Sequence, residues 1–138
     1  DSRVTIIDSR NVLSTSEDAK NETKWMVRQH PQINVIVTFN EWTSLGVGYA
    51  IEEENLADET MVIAFDSNIV SVEMLEKGVV DALLVQNPYA MGYLGVECAY
   101  KLINNQSPKQ TRIDTSTQLI TRDNMFDEEC QRILFPFD

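Results

Sequence analysis

Short apolar runs alternate along the chain with longer stretches whose apolar residues return at helical spacing. Val4-Thr5-Ile6-Ile7 reads as a first, buried strand. Ser14-Thr15-Ser16-Glu17 supplies cap residues for a helix running toward His30, and Pro31 ends it. Its apolar positions, Trp25, Met26 and Val27, are sparse, so a half-exposed helix is expected. Residues 33–39 form a second β-branched run, followed by a helix over 41–55 and a turn at Asp58-Glu59. A third strand spans 61–65, and a short helix over 69–76 is closed by Gly78. A fourth strand is expected over 80–85 and a helix over 89–103, with Tyr89, Tyr93, Val96, Tyr100 and Ile103 on one stripe. Residues 104–108 read as a loop, Leu119-Ile120-Thr121 as a late strand, and 125–134 as a short terminal helix.

Strands that alternate with helices, and that are apolar nearly throughout, predict an α/β fold. It is a three-layer arrangement with a parallel sheet and helices on both faces. In such folds ligands bind in the crevice outside the carboxyl ends of the strands. Three of the predicted strands end in polar residues that would then share one rim. Residues 35–39 lead into Asn40-Glu41, 61–65 into Asp66-Ser67-Asn68, and 82–85 into Gln86-Asn87. Asn40, Asp66 and Gln86 together make one carboxylate, which accepts hydrogen bonds, and two amides, which donate and accept. Adjacent sugar hydroxyls need both. Asn and Asp after a strand are also ordinary helix caps, a reading that stays open for each residue taken singly.

Composition and charge narrow the class. With 43% hydrophobic and 24% charged residues, the 138-residue chain has the make-up of one globular domain. A net charge of -11 would repel a phosphate backbone, so no direct nucleic-acid contact is expected. No metal site is expected, because Cys98 and Cys130 form no Cys-x-x-Cys pair and His30 is the lone histidine. Cys98 reads as a small buried hydrophobe, and one disulfide is conceivable. Catalytic residues and cofactors are not expected. Asp66 has no histidine beside it, and Ser44 and Ser67 lack a Gly-x-Ser-x-Gly elbow. Gly46-Val47-Gly48 sits inside a helical pattern and reads as packing, and Glu52-Glu53-Glu54 as a solvated helix face.

In order and spacing, the segments INVIVTFNEWTSLGVGYAI, MVIAFDSN, LEKGVVDALLVQNPYAMGYLGV and LITRDNM resemble the C-terminal half of type I periplasmic sugar-binding proteins. The ribose-type substrate-binding proteins of ABC transporters are the nearest likeness, and lactose-repressor-family regulators share that ligand-binding fold. The resemblance implies that Asn40, Asp66 and Gln86 bind a small sugar, with Gln86 at a hinge between two lobes. Ser14, Trp42 and Asn68 are secondary candidates. Many relatives carry an aromatic near Ser14-Thr15-Ser16, and often Asp where this chain has Glu41.

The resemblance further implies a two-lobed parent of roughly twice this length. Residues 1–86 would then be a C-terminal ligand-binding lobe, incomplete on its N-terminal side. Residues 87–115 would cross to the other lobe, and 116–138 would return as a strand and tail. The helix from Tyr89 would be covered by the missing first lobe or by self-association. The implied partners are a sugar and an ABC permease or receptor. The implied location is extracellular, periplasmic or lipid-anchored at the cell surface. A cytoplasmic regulator's effector domain and an extracytoplasmic sensor domain are the alternatives.

Overall fold

The computed structural model describes residues 3–106 and 110–135; Ser107 and Pro108 of the expected loop lie outside them. Three strands, β1 (Val35–Val37), β2 (Met61–Phe65) and β3 (Ala82–Gln86), run parallel. A fourth, β4 (Thr117–Thr121), lies antiparallel to β3, giving the order β1-β2-β3-β4. The expected α/β class is thus present, as a mostly parallel sheet flanked by helices. Parallel neighbours need a crossover, and α2 (Glu41–Glu54) and α3 (Ile69–Lys77) supply the two required. They are preceded by α1 (Ser16–Gln29) and followed by α4 (Pro88–Ile103) and α5 (Glu128–Leu134).

Register explains where the core lies. Ile36 pairs with Val62 and Ala64 with Leu83, so these side chains point to the same side. They are buried there against Val47 and Ile51 of α2, Val72 and Leu75 of α3, and Cys130 and Leu134 of α5. On the other side Val35, Val37, Met61 and Leu119 keep about half of their surface in solvent.

α1 packs along α2. The contact depends on Gly46, where a Cβ would come within 2.4 Å of the Ser16 carbonyl and 2.6 Å of the Ala19 Cβ. Farther along, Lys20 and Lys24 pair with Glu53, and Arg28 reaches Glu54 at 2.6 Å. The predicted solvated acidic face is therefore in part a set of ion pairs holding α1 to α2. Contacts from Ser16–Gly46 to Arg28–Glu54 mean that the two helices run in the same direction.

Two expectations need correction. Val4–Ile7 joins no strand of the sheet, and Val4 and Ile6 are exposed. β-branched residues favour a strand only where a neighbouring ladder receives them. Cys98 is half-exposed on α4, whereas Cys130 is the buried cysteine. Both thiols are free, and burial pushes that of Cys130 up.

Candidate functional site at the strand ends

The carboxyl ends of β1, β2 and β3 each lead into a helix through an asparagine cap. Asn40, Asn68 and Asn87 accept from the backbone N–H of Thr43, Ser71 and Ala90 at 3.0, 2.9 and 2.9 Å. The ordinary cap reading is therefore correct for Asn40 and Asn68, since each satisfies an amide the helix cannot. Capping does not use all of Asn40. Its Oδ1 takes the Thr43 N–H and hydroxyl, and its NH2 group donates to no described residue. Asn68 has less to spare, because its Nδ2 donates to Glu41 Oε1 at 2.8 Å.

Asp66 and Gln86 meet directly. Gln86 Nε2 donates to Asp66 Oδ1 at 2.7 Å. Only the NH2 end of an amide can donate to a carboxylate, so this bond fixes which way Gln86 faces. Asp66 Oδ2 and Gln86 Oε1 are left as acceptors with no donor among the described residues. Both side chains are half-buried. Asp66 also has φ 65, a left-handed conformation uncommon outside glycine. It turns the chain off β2 while its N–H still bonds the Leu84 carbonyl at 3.0 Å. Strained residues of this kind persist only where the surroundings hold them.

Two buried hydroxyls do much of that holding. β1 ends at Val37, so Phe65 has no strand partner on that side. The Thr38 and Ser44 hydroxyls stand 2.7 Å apart and fill the vacancy. Ser44 Oγ lies 2.9 Å from both the Phe65 N–H and its carbonyl, and Thr38 Oγ1 lies 3.2 Å from the same N–H. Ser44 is thereby committed to the backbone beneath the site and takes no nucleophilic role. The sequence pattern had offered no sign of this pair, because a hydroxyl facing a strand end looks like any other helical serine.

Two aromatic rings border the same rim. Trp42, in the first turn of α2, is 54% exposed, and Phe39 is 79% exposed. Phe39 was not singled out from sequence. Its signal lay in the period-two pattern, where Ile36 and Thr38 are buried and Val35, Val37 and Phe39 are not. Ser14 has φ 54 and directly precedes Thr15, the N-cap of α1. Because α1 and α2 run the same way, Ser14 lies toward the strand-end side. Its side chain makes no hydrogen bond to Asn40, Asp66 or Gln86. The rim thus combines one donor, two acceptors and two exposed rings.

Comparison with known proteins bears on the fold and the family. Residues 1–107 match the family model described as periplasmic binding protein domain. A D-ribose/D-allose-binding protein of Pseudomonas aeruginosa is 25% identical over 99 residues, 70% of this chain and 31% of that protein. A carbohydrate transporter solute-binding protein of Agrobacterium radiobacter, solved with D-arabinose, superposes with a TM-score of 0.87 at 28% identity. The match covers 94% of this chain and 44% of that one. An ABC transporter solute-binding protein of Agrobacterium vitis, solved with D-fucose, gives 0.87 at 28% identity over 96% of this chain and 46% of its own. The chain therefore spans less than half the length of these relatives, which are named for binding and transport. By its fold and by a family match over most of its length, the chain belongs to the periplasmic binding protein family.

Proposed function

We propose that this chain forms one wall of a cleft that reversibly binds a small neutral sugar, and that no bond of the ligand is changed. The observation that carries the reading is the Asp66–Gln86 pair at 2.7 Å on neighbouring strand ends. It leaves a carboxylate oxygen and an amide oxygen without a donor among the described residues, next to the strand that leads into Asn40 and its unengaged NH2. A carboxylate takes sugar hydroxyls through charge-assisted bonds, and the Asn40 amide returns one to a hydroxyl oxygen. Phe39 or Trp42 gives the apolar side of the ring a surface to lie on.

A ligand on this rim alone would remain half in water. The bound state is completed by a second surface, and closure is selected by contacts to both. α4 supports this reading. None of its residues is buried, and Tyr89, Tyr93, Val96, Tyr100 and Ile103 stand out in solvent. Such a stripe is covered by another lobe or by a second copy of the chain. The sugars in the solved relatives favour a pentose or hexose ligand. The setting is uptake by an ABC permease or sensing by a receptor, outside the cytoplasmic membrane, in the periplasm or anchored at the cell surface.

Native mass spectrometry with a mixture of pentoses and hexoses tests the reading. The expected result is a species that gains one sugar mass per site, with Asp66→Ala losing at least tenfold in affinity, about the cost of a charged hydrogen bond. Equal uptake by Asp66→Ala and the parent chain would remove Asp66 from the site and the reading with it.

A further inference from the structure

We propose that Glu41 is a positioning residue for Asp66, acting through Asn68; the inference rests on the sugar-site reading above. Asp66 and Asn68 belong to the three-residue link between β2 and α3. One end of the link is the left-handed Asp66 at φ 65. The other is Asn68, whose groups are all engaged. Its Oδ1 accepts from Ser71 N–H at 2.9 Å, and its own N–H donates to Ser71 Oγ at 2.8 Å. That box holds Asn68 to α3, which packs on α2 through the core. At the strand-end side the link itself is joined to α2 by the bond from Asn68 Nδ2 to Glu41 Oε1 at 2.8 Å.

Glu41 is suited to this task by its place. It is the first residue of α2, where a carboxylate is favoured by the positive end of the helix dipole. It is half-buried, as Asn68 is, so the bond is partly shielded from competing water. With the Asn68 oxygen held on Ser71, only its NH2 can turn to Glu41, and the amide has one orientation. The link is then pinned on both sides. Asp66 N–H is held by Leu84 at 3.0 Å, and Asn68 is held by α2. When the Glu41 bond is lost Asn68 keeps its box with Ser71, but the link loosens on its α2 side and the left-handed Asp66 is held less firmly against Gln86. Glu41 therefore does not contact the ligand; it keeps Asp66 where the ligand meets it. Asn68, a candidate contact on sequence grounds, is reassigned to the same brace.

The test uses the full chain, with D-arabinose and D-fucose as probes, in two NMR readouts: sugar titration and hydrogen exchange of the Asp66 amide. Glu41→Ala is expected to raise the dissociation constant about tenfold and to speed Asp66 exchange by a similar factor, as loss of a charged hydrogen bond would. Glu41→Gln keeps an acceptor oxygen and is expected to restore both readouts to within about twofold. Unchanged Asp66 exchange in Glu41→Ala overturns the proposal. A Glu41→Gln variant as impaired as Glu41→Ala also overturns it, since charge and not the bond would then be at work. Asp66→Ala is the control for the site. If it binds as the parent chain does, or if the parent chain takes up neither sugar, the sugar reading fails; exchange at Asp66 then decides the brace alone.

Discussion

α2 and α4 are alike as sequences and opposite as structures. They have 14 and 16 residues, each carries two glycines, and both mix tyrosine with aliphatic and small residues. α2 buries Ser44 through Gly48, Ala50 and Ile51, enclosed by the sheet, α1 and α3. α4 buries nothing. Connectivity accounts for the difference. α2 joins two parallel strands and has to cross the sheet to do so. α4 lies between β3 and β4, which are antiparallel neighbours, so no crossover holds it on the sheet. An apolar helix is therefore buried by the path of the chain, and its own composition does not decide the matter.

The contrast can be broken at several points. The largest effect is expected at Leu83, which is fully buried at the centre of the sheet. Leu83→Ala should cost about 2–5 kcal/mol in urea unfolding, while Leu102→Ala on α4 should stay within about 0.5 kcal/mol. Equal losses would mean that α4 is covered in solution.

Glycine to alanine should change sign between the two helices. Gly46→Ala drives a methyl into the Ser16 carbonyl and should destabilise by about 1–3 kcal/mol despite its better helix propensity. A Cβ at Gly92 meets nothing within 4 Å. Gly92→Ala should therefore stabilise α4, by up to about 1 kcal/mol, read as raised helicity by circular dichroism.

Ser44→Ala should cost about 1–2 kcal/mol in the same urea assay, because the Phe65 N–H keeps only its longer contact to Thr38 and the Phe65 and Asn40 carbonyls lose the hydroxyl between them. A change smaller than a few tenths would mean that water replaces the hydroxyl.

The smallest effect belongs to the outer seam of α1 and α2. Lys24, then Lys20, holds the Glu53 carboxyl below its usual range. A carboxylate lowered by folding contributes stability above the unfolded carboxylate range and loses it as pH falls through the folded value. Stability should thus decline on the acid side, and Lys24→Ala should flatten that decline, most visibly at low salt. An unchanged pH profile would mean that the Lys24–Glu53 pair adds nothing to the seam beyond Gly46 packing and the Arg28–Glu54 pair.

Much of this was legible in the residues themselves. The order of helices and strands over residues 16–134 follows from period and punctuation, because both are local: Thr15, Asn40, Asn68 and Gly78 stop or start elements by their own chemistry. The convergence of Asn40, Asp66 and Gln86 on one rim follows from parallel strands. What lay out of reach was every choice between partners. Val4–Ile7 has strand chemistry and joins no strand of the sheet. Asn68 has the make-up of a ligand contact, and its Nδ2 donates to Glu41. Cys98 has buried composition and a half-open place. The sequence alone determined which stretches are helix or strand and where polar groups meet strand ends, since those depend on neighbours a few residues away. Only the tertiary structure decided which face is covered, which amide is free and which carboxylate has an amide donor, because those depend on groups 20 or more residues apart competing for one donor or one surface.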